Sequence, residues 1–170
     1  MKVFTVLFSC LILLCCCTRK SAQLPSNKVE QNTTQMDMMT YNKMCIEAEN
    51  AEIQSFLDSS SVEYIKSDAT YWYKVVNQGN GAKVAGAVTI AGTVEVLGGT
   101  QFHQLTNLTL RLGKRDHTKV LDLALANTKV GDEIWIVSPS SLAYGIKGIS
   151  GCITSRTPVL YKIKVLKTDE

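Results

Sequence analysis

The chain has 170 residues, of which 45% are hydrophobic and 19% are charged, a composition that excludes disorder throughout and suits one compact domain with flanking segments. Its formal net charge of +3 is small, and the basic residues are scattered rather than clustered, so we expect no nucleic-acid partner.

The N-terminal segment predicts export from the cytoplasm. After Met1 and Lys2 comes VFTVLFSCLILLCCC, an apolar run shorter than the ~20 residues that comfortably span a bilayer and typical of a signal-peptide core. Its end resembles a bacterial lipobox, so we interpret residues 1–17 as a lipoprotein signal peptide with Cys16 or Cys17 lipidated. An uncleaved anchor or an ordinary secretory signal is the alternative. We expect the protein on the periplasmic side of the cell envelope, at the inner or outer membrane, held only by its lipid.

Two further features concern the segment after the leader and the remaining thiols. Residues 18–37 are polar and aperiodic, which is typical of a flexible tether. Four of the six cysteines lie in the leader, and Cys45 and Cys152 lie in the body of the chain. In an oxidising compartment these two thiols could pair, or each could be a small buried hydrophobe, and we favour the second interpretation.

A helix is predicted at about 39–57, within an N-terminal helical segment of residues 38–60. Ile46, Ile53, Phe56 and Leu57 recur near the helical period, and the serines at 59–61 end the pattern. Because this apolar stripe is narrow, we expect the helix to pack at the edge of the domain or on a partner.

Short strands dominate the rest of the chain. They are predicted at 71–76, 87–97, 107–112, 133–137 and 158–166, with turn signals between them. A single helix is predicted at 118–127, with Thr118 as its N-cap. The pattern favours an α+β domain over residues 61–170, in which an antiparallel sheet wraps around one short helix.

A family resemblance rests on the segment that follows this helix. Its residues, in order, are Val130-Gly131-Asp132, Pro139, Ala143-Tyr144-Gly145, Gly148, Gly151, Ile153 and a final strand. This order and spacing resembles the FKBP-type peptidyl-prolyl cis-trans isomerases, over roughly residues 71–167. The leader and the extra N-terminal helix look like those of lipoprotein members from Bacteroidetes-type bacteria.

The resemblance implies a site. Tyr144 would donate its phenolic hydrogen to the substrate carbonyl, the backbone N–H of Ile153 would donate beside it, and Phe102 and Tyr161 would supply aromatic walls. Other pocket positions depart from the family, which has Tyr, Asp, Phe, Val, Ile and Trp where this chain has, in order, Ala91, His103, Leu108, His117, Thr118 and Leu121. Losing rigid aromatic contact area, above all the Trp, implies a weak isomerase.

The implied function is therefore weak peptidyl-prolyl isomerisation that assists folding of exported proteins. Proline-containing peptide segments or an envelope protein would be the partner, and the reaction needs no cofactor. The two histidines lack ligand spacing, so we expect no metal. The alternative is a degenerate domain of the same fold that binds a peptide or partner protein without catalysis.

Overall fold

The computed structural model describes residues 37–169, so the predicted signal peptide, Cys16, Cys17 and nearly all of the tether lie outside the described residues. The described part belongs to one compact unit. Its elements, in chain order, are α1 (Met38–Ser59), β1 (Ile65–Lys66), β2 (Trp72–Asn77), β3 (Ala87–Val96), β4 (Phe102–Arg111), α2 (Lys119–Leu125), β5 (Glu133–Ser138), a 3-10 helix (Ser140–Leu142) and β6 (Val159–Asp169).

The six described strands form one sheet in the order β1-β2-β5-β6-β3-β4, with every neighbouring pair antiparallel. The expected α+β class with a sheet around a short helix is confirmed. Strand β4 begins at Phe102, five positions before the predicted start at 107. The reason is a bulge, because Ile90 pairs with Leu108 whereas Gly92 pairs with Leu105. An extra residue there breaks the two-residue alternation that identifies a strand from sequence.

Helix α2 fills the concave face of the sheet. Its residues Val120, Leu121, Ala124 and Leu125 are buried in the main core, together with inward-facing residues of β3 to β6. Thr118 occupies the N-cap position, as predicted, but its side chain makes no capping hydrogen bond. That hydroxyl is used elsewhere, in the site described below.

Helix α1 packs on the opposite face of the sheet. Successive side chains of β5 point to opposite faces of the sheet. Ile136 therefore belongs to the main core, and Val137 belongs to a second cluster with Ile53 of α1. Leu97 and Leu160 complete the buried part of that cluster. Burying a side chain such as Ile53 stabilises the contact by ~2 kcal/mol. The helix thus packs on this face of the sheet with Ile53 as its buried residue, while its first turns, including Met39 and Met44, are exposed.

Two further findings concern membrane spans and the two thiols in the described residues. Within residues 37–169, no helix is both long and apolar enough to cross a bilayer. Cys45 and Cys152 are both free thiols, each half-buried. The Cys152 side chain packs against the main core, as a small hydrophobe would.

Candidate functional site

The loop between β5 and β6 presents Tyr144 to the concave face. The backbone N–H of Gly145 donates to the carbonyl of Ser140 (2.8 Å), and the N–H of Arg156 donates to the carbonyl of Gly145 (2.8 Å). Gly148 has a φ of 62°, and a β-carbon there would overlap the backbone carbonyl of Ile153. Glycine is therefore required for the loop to close on itself beside Tyr144.

Three elements bring an aromatic and histidine cluster together. The Tyr144 ring lies 6.3 Å from the ring of Tyr161 on β6, and 6.1 Å from the ring of His117, which meets it edge-on. The hydroxyls of Thr118 and Tyr161 form a buried hydrogen bond of 3.0 Å. Leu121 is fully buried below them in the core. We call these five residues and His103 the Tyr144 site.

Burial sets the protonation states of this site. It raises the pKa of Tyr144 and raises that of Tyr161 well above the ordinary phenol value, so both remain neutral donors. The pKa of His117 is lowered, first by burial and then by the nearby charge of His103, while Asp122 acts in the opposite direction. His117 is therefore uncharged at neutral pH.

Tyr144 carries the most informative polar atom of the site. Its hydroxyl is buried and makes no well-formed hydrogen bond to any residue in the described range, although it lies near enough to the Tyr161 hydroxyl for each phenol to affect the pKa of the other. Buried hydroxyls nearly always have a partner. A donor held without one suits a site in which the partner is a bound molecule.

The structure does not bring Phe102 or Ala91 into the site. Phe102 is 57% exposed and pairs across the strands with Glu95, whereas the next residue, His103, pairs with the buried Val94 and thus faces inward. Ala91 pairs with Lys164 on the outer face of the sheet. Both corrections follow from the alternation of β-strands, in which a shift of one residue reverses the side chain.

Ile153 is also in a different role from the one implied by the family. Its backbone N–H donates to the carbonyl of Ile149 (2.9 Å), and its own carbonyl accepts from the N–H of Ile149 (2.7 Å). That amide is used to close the loop, so it has no hydrogen left for a substrate.

By contrast, the N–H of Thr118 makes no hydrogen bond within residues 37–169. Leu108 faces inward and packs, half-buried, against the core.

Helix α1 reaches the back of the Tyr144 loop. The carboxylate of Glu49 accepts hydrogen bonds from the backbone N–H and from the hydroxyl of Ser140, the latter at 2.9 Å. Arg156, on the same loop, donates to the side-chain carbonyl of Asn42 at 2.9 Å. Glu49 is not among the residues predicted from the sequence. Its signal was a carboxylate lying between Ile46 and Ile53 on the apolar stripe of the helix.

The family model described as FKBP-type peptidyl-prolyl cis-trans isomerase matches residues 78–166, more than half of the chain. The chain belongs to this family. Among solved structures, an FKBP-like fold is shared with a peptidyl-prolyl cis-trans isomerase from Pseudomonas syringae pv. tomato, at 20% identity and a TM-score of 0.64, covering 76% of this chain and 96% of that one. AtFKBP13 matches at 18% identity and a TM-score of 0.58, covering 64% of this chain and all of that one. A comparison with curated proteins found no match.

Peptidyl-prolyl cis-trans isomerisation is the function that this FKBP membership supports. The reaction only rotates a bond, so it requires donors and an apolar surface rather than a nucleophile or metal. Within residues 37–169 there is no cluster of three or more His, Cys, Asp or Glu that could hold a metal ion.

Proposed function

We propose that this FKBP domain is a weak prolyl isomerase that acts on exported polypeptides while anchored by lipid at the bacterial cell envelope. The observation that supports catalysis best is the buried, unpartnered hydroxyl of Tyr144. The support for the envelope is the N-terminal sequence, with its apolar run and the cysteines at positions 15–17.

Catalysis follows from the chemistry of the X–Pro amide. Its rotation faces a barrier of ~18–20 kcal/mol because the amide resonance must be broken. An apolar site removes water from the amide and favours the twisted, less dipolar form over the planar one, which is differential binding of the transition state. The Tyr144 hydroxyl can donate to the carbonyl of the substrate. The free N–H of Thr118, next to His117 at the same cluster, is a second candidate donor.

Two features of the Tyr144 site support the proposed weakness of the enzyme. Leu121 and Tyr161 are completely buried, so the bottom of the site offers little exposed aromatic surface to a proline ring. Tyr144 lies stacked against Tyr161, which keeps its hydroxyl inside the protein. A substrate has to displace the Tyr144 ring slightly to reach that donor, and the displacement uses binding energy that would otherwise lower the barrier.

The test is a prolyl isomerisation assay on the full chain in lipid nanodiscs, with peptides that differ in the residue before proline. We expect a rate above background that falls about three- to tenfold in Tyr144→Phe, because one neutral hydrogen bond contributes ~0.5–1.5 kcal/mol. Tyr64→Phe is the matched control, since Tyr64 packs near α1 on the other face of the sheet. A flat trace from folded protein would instead support the alternative, a binding domain without catalysis.

The anchor requires a separate test. Cells that express the protein are labelled with a palmitate analogue, and Cys16→Ser is compared with Cys17→Ser. We expect the label to disappear in one of the two variants and the protein to leave the membrane fraction with it. Retention of label in both variants, or no label in the wild type, would contradict lipidation at these positions.

A further inference from the structure

A groove runs between the first turns of α1 and the loop that carries Tyr144. Its volume is about 1070 Å³. Its apolar walls are formed by Cys45 and Ile46 of α1, Trp72 of β2 and Ile146 of the loop, and Lys66 and Arg156 lie among the lining residues. We call this the α1 groove. Ile46 is 56% exposed and Ile146 is 72% exposed, so the groove has apolar surface that no described residue covers.

Most of the charged side chains that line the groove are positive. Lys66 places its ammonium 5.4 Å from the ring centre of Trp72, and Arg156 lies over the ring of Tyr41 at 5.8 Å. Neither cation forms an ion pair with a carboxylate in the described range. Glu49 is the acidic residue of the lining, and its carboxylate is already bound to Ser140. An occupant that suits this surface therefore carries apolar side chains together with carboxylates.

The groove and the Tyr144 site share one loop. Gly145 and Ile146 line the groove and directly follow Tyr144, which faces the concave side of the sheet. A polypeptide can therefore contact both places at once. When one part of a chain is bound in the groove, the effective concentration of its other parts at the Tyr144 site rises without any new contact there.

We propose that the α1 groove binds apolar, acidic segments of the same unfolded polypeptide whose prolyl bond enters the Tyr144 site. This inference rests on the proposed function and extends it from a dipeptide unit to an unfolded client protein. The concave shape favours an extended chain over a flat lipid surface, and its size suits several side chains rather than one.

The first experiment compares two substrates for the full chain in nanodiscs. One is a proline-containing tetrapeptide, and the other is an unfolded acidic protein whose refolding is limited by a prolyl isomerisation. The variant Ile46→Asp with Lys66→Glu changes the groove alone. We expect kcat/KM for the protein to fall about tenfold and that for the tetrapeptide to stay unchanged.

The matched control carries the same changes outside the groove. Met44→Asp with Lys114→Glu alters an exposed apolar residue of the same helix and an exposed lysine, neither of which lines the groove. This control should match the wild type on both substrates. An equal loss on both substrates in the groove variant, or no loss on either, would overturn the proposal.

A binding experiment keeps the inference testable if no isomerisation is seen. A labelled proline-free peptide that alternates Leu and Phe with Asp and Glu is titrated by fluorescence anisotropy. It should bind at least tenfold tighter than the same peptide with Lys in place of the acids, and more weakly at high salt. Equal affinity for both peptides would overturn the proposal. So would a dimer, seen by sedimentation, that the groove variant dissociates, because the occupant would then be a second copy.

Discussion

Truncating Glu49 tests whether the N-terminal helix is an energetic part of the FKBP domain. Glu49→Ala removes the acceptor of two hydrogen bonds from Ser140, a residue that is only 5% exposed. Hydrogen bonds to a charged group contribute ~1.5–3 kcal/mol each, and a buried donor left without a partner adds its desolvation penalty. Because Glu49 is itself half-exposed, water can replace part of the loss. We expect the free energy of unfolding to fall by about 2 kcal/mol.

The assay is urea unfolding of the chain from Asn27 onward, which retains the whole described unit. With an m value of ~2 kcal/mol/M, the midpoint should fall by about 1 M while m stays constant. Glu49→Gln should lie between wild type and Glu49→Ala, because the amide can accept from the backbone N–H and donate to the hydroxyl. Isomerase activity should fall in parallel, since Ser140 accepts the hydrogen bond from Gly145 beside Tyr144.

The control is Glu47→Ala on the exposed side of the same helix. Within residues 37–169 its carboxylate pairs only with Lys43, at 3.8 Å, with both side chains largely exposed, so its loss should change stability by less than ~0.5 kcal/mol. If Glu49→Ala lowered the free energy of unfolding no more than Glu47→Ala, the contact with Ser140 would make no measurable contribution to stability. The helix would then not be a support for the Tyr144 loop.

Three further predictions test the site and its loop. Gly148→Ala should lower the free energy of unfolding in urea by more than ~2 kcal/mol, since its β-carbon would overlap the carbonyl of Ile153. Gly151→Ala, with open space around it, should cost only the ~1 kcal/mol of a left-handed backbone. Equal effects of the two substitutions would contradict this explanation. His117 binds a proton more readily in the unfolded chain than in the folded one, because folding lowers its pKa. The free energy of unfolding should therefore decrease as the pH falls below about 6.5, and His117→Asn should flatten that dependence. An unchanged pH profile in the variant would refute this assignment. Leu121→Trp with His103→Asp should raise the isomerase rate if the site can admit the larger ring. Because Leu121 is fully buried, the gain should come with a lower urea midpoint. No change in either the rate or the midpoint would argue against the position of Leu121 below the site.

The parts of the fold that could be predicted from sequence are those set by local pattern. Alternation identified most of β2, β3, β5 and β6, and the helical period identified both helices. The turn glycines around Tyr144 identified the loop and the family. What could not be predicted depended on the register with which the strands pair. The bulge opposite Ala91 leaves no mark in local composition. The sequence therefore does not reveal that the side chain of His103, rather than that of Phe102, faces the interior.

The same limit explains the amide of Ile153. A loop whose glycines match the family suggests the same hydrogen bonds, but the bond between Ile153 and Ile149 depends on how the chain closes over four residues. Similarly, the contact from Glu49 to Ser140 joins residues 91 positions apart. An acidic residue within an apolar stripe indicates a buried partner, since an unpaired charge would be costly there. The sequence does not indicate which partner.

The replacements in the site are better understood as a coupled set than as separate losses. Tyr161 stands where the family has a Phe, and Thr118 stands where it has an Ile; the structure joins these two residues by one buried hydrogen bond. A Tyr161 hydroxyl facing the Ile of the family would lose this partner, and a buried hydroxyl left unsatisfied costs ~1–3 kcal/mol. The paired hydroxyls also leave the Tyr144 hydroxyl, which stacks beside them, as the unpartnered buried side-chain atom in the described part of the chain. Under the proposed function, the Tyr144 hydroxyl is the donor left for a substrate carbonyl, while the hydroxyls of Thr118 and Tyr161 satisfy each other in the core.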